Sequence, residues 1–262
     1  MLKYSFIVPI INNGEQLTQQ LSSIPEGSIP STILIIDNSA GKEEMIDLAV
    51  QNIQEKEKYH PLLLDTDIIV HRPSENLGVA GSWNYGIQNT PGPWIIANSD
   101  VFFIQADAIV NTLDKLQEND FCISCGLSLF GITQNAIDLA GYFDENFWPA
   151  YDEDLDYVTR LSRAEGKITQ FCASVVHEHS SSLKNDPKLK AVIGQTHAMN
   201  DTYYMKKWGS KTGNSNNCET YHVYGEHQTP FNDVDKSLKD CTIDEEFIRK
   251  KKEIWKKIME SE

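Results

Sequence analysis

Tyr151 to Tyr157 read YDEDLDY, which puts four carboxylates, Asp152, Glu153, Asp154 and Asp156, into one short stretch. Carboxylates at that density suit two tasks. They complement the positive end of a helix dipole, or they supply a general base and acceptors for hydroxyl groups. Asp156 stands four residues before Arg160, the spacing of a helical ion pair, so part of the block reads as helix structure. Phe143, Phe147, Trp148 and Tyr151 lead into it, an aromatic approach that suits a sugar-stacking rim or a core. Asn98-Ser99-Asp100 leaves a buried apolar run, and an acid in that place is a turn residue or a cation ligand. Beside a diphosphate it requires an intervening Mg²⁺ or Mn²⁺, because like charges repel. His177 and His179, two apart on an extended chain, point to one side and would complete an oxygen/nitrogen ligand set with Asp100. Asp37 closes a turn or caps a helix in one reading, and accepts the imide N–H of a pyrimidine in the other. Cys122 and Cys125 spell C-x-x-C with no second pair; inside one strand they would face opposite ways, so they read as core.

These residues need a frame. Tyr4–Ile10, Thr32–Asp37, Asp67–His71 and Trp94–Ala97 are β-rich apolar runs, and helical stretches fall between them, to Ser23, over Lys42–Lys58 and over Gly78–Asn89. Alternation of this kind predicts an α/β fold with a mostly parallel sheet covered on both faces. Farther on, a strand is expected over Phe121–Phe130, a helix near Asp154–Ala164 ending at Gly166, and a strand over Ile168–Val176. In such sheets ligands gather at the carboxyl ends of the strands, where Asp37 and Asp100 fall.

Composition narrows the partners. The 262 residues carry 38 acids against 23 bases, a formal charge of −15, which argues against nucleic-acid binding. The five cysteines are odd in number and scattered, and the reading is a reduced, cytoplasmic compartment. No apolar run of about 18 residues is present to span a bilayer, and the first residues do not read as a signal peptide. The acidity is uneven: residues 249–257 are locally +5 and the rest is −20. That basic tail reads as a solvated helix with Phe247, Ile248, Ile254, Trp255 and Ile258 for one face, and leaves a peripheral membrane contact open.

Taken in order, FIVPI, IIDNSAG, SENLGVAGSWNYGI, IIANSDVFF, GYFDENFWPAYDEDLDYVTRLSRAEG, VVHEHSSS and NDTYYMKKWG resemble the family 2 glycosyltransferases of the GT-A fold. A rhamnosyltransferase-like subgroup is one option. The resemblance covers roughly residues 3 to 209. It implies a GT-A domain over 1–209, with a nucleotide-binding half (1–104) and an acceptor and catalytic half (105–209), followed by a loop-rich extension over 210–262 with a terminal basic helix. It implies inverting, non-processive transfer of a sugar from a nucleotide-diphosphate donor, UDP- or dTDP-linked by preference, to a hydroxyl of a glycan or glycoconjugate acceptor. In that scheme Asp154 is the base and Glu153 binds the acceptor hydroxyl. Pro9, Ile11, Asp37, Asn76, Gly78, Gly81, Asn84, Asn98, Ser99 and Asp100 bind the nucleotide sugar. Trp148, Tyr151, Asp152 and Asp156 fall on the acceptor side, with Asp156 also serving the helix. Asp100, His177 and His179 hold Mn²⁺ or Mg²⁺, and Lys206 or Lys207 could reach phosphate. The metal motif departs from the family's Asp-x-Asp, keeping only its last acid. A base at a helix N-terminus is expected to have a low pKa. The competing readings are a catalytically inactive sugar- or protein-binding module of the same fold and a nucleotidyltransferase. The latter needs a basic Gly-rich loop where this chain has IINNGEQL.

Overall fold

The computed structural model describes residues 3–39, 44–55, 65–105, 107–178, 181–208 and 241–260. Its chief element is a seven-stranded sheet in the order β3-β2-β1-β4-β7-β6-β8. The strands are β1 (Ser5–Ile10), β2 (Thr32–Asp37), β3 (Asp67–His71), β4 (Trp94–Ala97), β6 (Phe121–Ile123), β7 (Leu129–Ile132) and β8 (Ile168–Gln170). β3, β2, β1 and β4 run parallel, while β7 is antiparallel to both its neighbours. A second, two-stranded sheet pairs β5 (Val101–Phe103) with β9 (Val175–His177).

The alternation of strand side chains explains the layering. Phe6, Val8, Ile33, Ile35 and Ile95 enter one core, and Ile7, Leu34, Ile36 and Ile96 enter another on the opposite face. The first core is closed by α1 (Gly14–Ser22), α2 (Glu44–Gln54) and α4 (Asp107–Lys115). The second is closed by α3 (Gly78–Asn89), α5 (Gln134–Ala140) and α6 (Glu153–Arg163). Every residue of TILIID in β2 is buried, as a central parallel strand requires. Behind α6 lie α7 (Ser181–Asn185), the long α8 (Pro187–Trp208) and the C-terminal α9 (Glu245–Met259), which packs on α8.

The structure redraws two of the expected strands. Phe121–Phe130 is not one strand but two, because Gly126 takes a φ of 50° and Ser128 N–H closes a turn on Cys125 O at 3.1 Å. Cys125 therefore sits in that turn, and it packs against the same core as Cys122 rather than facing away from it. Ile168–Val176 is likewise split, with β8 in the large sheet and β9 in the small one. Residues 42–43 and 56–58 of the expected second helix, and 210–240 of the expected extension, lie outside the described residues.

Candidate active site

The acidic block enters α6 through an unusual backbone. Tyr151 and Asp152 have φ of 78° and 75°, so two successive side-chain-bearing residues occupy the left-handed region. Such strain persists only where the surroundings over-determine it, and here they do. Asn200 on α8 donates to the carbonyls of Phe147, Ala150 and Tyr151 at 2.7, 2.9 and 3.0 Å. Lys251 of α9 is buried, donates to Asn146 O at 2.5 Å and to Asn200 Oδ1, and so locks the clamp from behind. Burial lowers the Lys251 ammonium to about 7.

At the start of α6 the acids have different fates. Glu153 is buried, its Oε2 accepts no hydrogen bond, and burial together with the Asp154 charge raises it well above the ordinary range. Asp154 is half-buried, and its Oδ1 accepts the Leu155 N–H at 2.7 Å. Its pKa is pushed up to about 6, first by burial and then by the charge of Asp152. The helix N-terminus was expected to lower it. The Leu155 N–H does act in that direction, but desolvation outweighs it. Asp152 turns away toward α8, where His197 Nε2 lies 3.7 Å from its Oδ2 and the pairing raises the imidazole pKa.

Asp156 has left the cleft. It is wholly buried and accepts from Arg160 Nε at 2.8 Å, from Trp208 Nε1 at 2.9 Å and pairs with Lys207 Nζ at 2.7 Å. Lys207 also meets Asp144 at 2.7 Å, so it is an internal cation between two carboxylates and is not placed to reach a phosphate. Asp144, Asp156 and Cys241 converge closely, but this ammonium already occupies their charge. The helical pairing of Asp156 with Arg160 is as the spacing predicts; an acceptor contact from Asp156 is not available to a residue so enclosed.

The opposite wall is built by the small sheet. Val101 pairs with His177 across β5 and β9, which brings His177 Nε2 to 3.4 Å from Asp100 Oδ1. Ser128 Oγ stands 3.2 Å from the other ring nitrogen. The buried Gln20 fixes the loop beneath by donating to Asn98 O at 2.6 Å and Val101 O at 3.0 Å. His179 lies outside the described residues.

Along the sheet edge, Asp37 is fully buried and both its oxygens are engaged. Ser39 N–H and Oγ reach Oδ1 at 2.9 and 2.5 Å, and Arg72 Nε reaches Oδ2 at 3.1 Å. As placed, it offers no oxygen to a base. Its neighbour Asn38 faces the cleft instead, accepting Leu77 N–H at 2.9 Å and donating to Ser82 Oγ at 2.9 Å. Gly78 has a φ of 72°, and a Cβ there would meet Trp148 Cδ1 at 2.7 Å. Gly81 and Asn84 are not on the cleft lining, and Asn84 binds the Phe143 backbone through both ends of its amide.

The two walls enclose a cleft of about 310 Å³. Pro9, Ile11, Asn76 and Gly78 line it on the sheet side, with Asn98, Ser99, Asp100 and His177. Tyr151, Glu153 and Asp154 line it on the α6 side. Asp37, Gly81, Asn84, Trp148, Asp152 and Asp156 are not on its surface. Among the lining residues that sequence reasoning missed are Asn38, Ser128 and Trp255. Asn38 was legible as the neighbour of Asp37 at a strand end, Ser128 was hidden in a segment read as strand, and Trp255 was counted only as a helix face.

The description Glycosyl transferase family 2 matches residues 5–153, more than half of the chain. The chain belongs to this family. Among solved structures, a mannosyltransferase, PcManGT from Pyrobaculum calidifontis, in complex with GDP-Man and Mn²⁺, superposes with a TM-score of 0.55 at 15% identity, covering 76% of this chain and 64% of the other. S. aureus TarS 1–349 gives 0.51 at 14% identity, over 73% and 66%. A glucosyl-3-phosphoglycerate synthase from Mycobacterium tuberculosis, in complex with Mn²⁺, UDP and phosphoglyceric acid, gives 0.51 at 11% identity, over 75% and 78%. At these identities the likeness is one of fold, the GT-A arrangement. The chain spans just under two thirds of the length of the first two structures. No curated protein matches the sequence. Among the described residues, no helix is long and apolar enough to cross a membrane.

Proposed function

We propose that this family 2 member transfers a sugar from a nucleoside-diphosphate donor to an acceptor hydroxyl with inversion, using Asp154 as the base. The observation that carries the reading is that one cleft is lined by Asp154 on one wall and by Asp100 with His177 on the other. An inverting displacement needs those two functions on opposite sides of the anomeric carbon. The acceptor oxygen forms the new bond to that carbon as its proton passes to the Asp154 carboxylate. The bond to the diphosphate breaks, and the nucleoside diphosphate leaves with the electron pair. A carboxyl whose pKa is about 6 is ionised at pH 7 and is a stronger base than an ordinary aspartate. Burial and the Asp154 charge favour the protonated form of Glu153, which is the form that donates a hydrogen bond to an acceptor hydroxyl.

The Asp100 and His177 pair fits a divalent cation: a carboxylate oxygen and an imidazole nitrogen face each other at 3.4 Å on the cleft wall. Oxygen and nitrogen donors together suit Mn²⁺, and Mg²⁺ through the carboxylate. A cation bound there would supply positive charge to the diphosphate. Two fold relatives carry Mn²⁺, one with a guanosine and one with a uridine diphosphate, which supports a metal and leaves the base open. The acceptor reads as a glycan or glycoconjugate.

The test is nucleotide-sugar turnover with Mn²⁺, measured as nucleoside diphosphate released, in the wild type and in Asp154→Asn. Loss of at least about a hundredfold is expected on removing a general base. Full activity in the variant overturns the assignment.

A further inference from the structure

Helix α9 lies far beyond the residues 5–153 matched by the family, yet it reaches the cleft. It is fixed at several points along its length. Asp244 N–H donates to Asn146 Oδ1 at 2.7 Å while Asn146 Nδ2 donates to Thr242 O at 2.9 Å, which ties the start of the helix to the segment leading into the acids. Phe247 packs on Tyr203 with ring centroids 5.5 Å apart. Lys251 is buried under the Asn200 clamp, and Lys252 pairs with Glu75 at 2.7 Å. Four residues after Lys251, and so on the same helix face, comes Trp255.

Trp255 meets Trp148 edge to face, with centroids 5.4 Å apart at 60°. Trp148 is itself buried, its indole N–H spent on Asn76 O at 2.9 Å. The half-buried Trp255 thus lines the cleft with the buried Trp148 packed against its ring. Tyr151, exposed, is also on the lining, directly before the acids. Flat aromatic faces beside carboxylates match one ligand chemistry well. A pyranose ring offers an apolar C–H face to an indole and hydroxyls to acids such as Glu153 and Asp154.

We propose that Trp255, delivered by the C-terminal helix, is a sugar-binding residue of this cleft whose indole stacks on the face of a pyranose ring. The assignment rests on the glycosyl-transfer reading, and the ring belongs to the donor sugar or to an acceptor sugar. It also gives a role to part of the basic tail: the helix completes the site wall, and its lysines 251 and 252 serve to dock it.

The experiment uses the full chain with Trp255→Leu, which keeps apolar bulk against Trp148 but removes the flat face, and Trp255→Phe, which restores one. The probes are a panel of nucleotide sugars, their parent nucleoside diphosphates, and p-nitrophenyl glycosides as acceptors, all with Mn²⁺. If the donor ring is stacked, Trp255→Leu weakens binding of the nucleotide sugar about tenfold and leaves the nucleoside diphosphate unchanged. If an acceptor ring is stacked, nucleotide-sugar binding is unchanged and the KM for the glycoside rises about tenfold. Trp255→Phe recovers most of either loss. The assignment is overturned if Trp255→Leu matches the wild type in both assays, or if it weakens nucleoside diphosphate and nucleotide sugar equally. A wild-type chain that binds no nucleotide sugar from the panel refutes instead the glycosyl-transfer reading on which the assignment depends.

Discussion

His177 and Asp100 face each other at 3.4 Å because Val101 and His177 are partners in the β5–β9 ladder. The pair is thus set by backbone register, with Gln20 holding the Asp100 loop from below and Glu178 N–H donating to Asp100 O at 3.1 Å. A site built this way should survive loss of one side chain without unfolding. His177→Ala is expected to fold normally and to weaken Mn²⁺ binding by about tenfold or more, as loss of a coordinating or orienting group does. Titration of Mn²⁺ followed by thermal shift reads this directly. An unchanged Mn²⁺ affinity would remove His177 from the ligand set.

The raised pKa of Asp154 makes two pH predictions of opposite kind. Activity needs the ionised base, so kcat/KM should rise with pH through about 6 and level off above it. Stability runs the other way. The folded pKa of about 6 exceeds the ordinary value of about 3.9, so the folded state binds this proton more tightly than the unfolded chain. The stabilising contribution is complete below pH ~4 and is lost as pH rises through about 6. Asp154→Asn should therefore melt higher than the wild type at pH 7 to 8, by on the order of 1–2 kcal/mol, with the advantage vanishing near pH 4. Melting curves across that range decide it, and a variant less stable at pH 8 would contradict the buried-base description.

Asp156 and Asp154 are two positions apart and should respond to mutation in unlike ways. Asp156 holds Arg160, Lys207 and Trp208 in a buried network that extends through Lys207 to Asp144. The two carboxylates outweigh the desolvation of Lys207, and Lys207 in turn holds Asp144 below the usual carboxylate range despite its burial. Asp156→Asn strands part of that positive charge, and losses of about 3–5 kcal/mol are typical on breaking a buried pair from one side. Denaturant midpoints should fall accordingly, while any KM measured on the folded fraction stays near the wild-type value. A raised acceptor KM with normal stability would return Asp156 to the binding surface.

Much of the frame was legible because it rests on short-range patterns. TILIID in β2, WIIA in β4 and the small-residue helix Gly78–Asn89 are where the sequence predicts them, since apolar runs and their breakers act locally. The aromatic approach and the acids were equally visible, as was the pairing of Asp156 with Arg160. What could not be read is what depends on distant partners. The pKa of Asp154 is decided by burial, and its sign reversed the local expectation from the helix terminus. Asp37 was expected to face a ligand, but Arg72, just past the end of the neighbouring strand β3, takes its oxygen. Lys207 was expected to be able to reach a phosphate, but α8 places it between Asp144 and Asp156. Trp255 needed the longest step, since nothing in a basic helix near the end of the chain announces that it closes a cleft.

Gly78 tests whether the two halves of the site are mechanically joined. Its φ of 72° permits the turn into α3, and the absence of a Cβ is required there, since one would meet Trp148 Cδ1 at 2.7 Å and Pro149 O at 2.9 Å. Val79 N–H donates to that same Pro149 oxygen at 2.8 Å, and Trp148 Nε1 donates to Asn76 O at 2.9 Å. The loop carrying Asn76 and Gly78 and the segment leading to the acids are therefore bonded face to face, with no room for a methyl group. In Gly78→Ala the backbone strain and the clash act together, and the obstacle is partly backbone, which cannot rotate away. A loss of about 1–3 kcal/mol is expected from strain at a positive φ and from overpacking. If the halves are joined, Asp154 is displaced with the loop, so kcat falls as well as donor affinity. If only donor affinity falls, at unchanged kcat, the acids are held by the Asn200 and Lys251 clamp alone. Stopped-flow measurement of chemistry separately from nucleotide binding distinguishes the two.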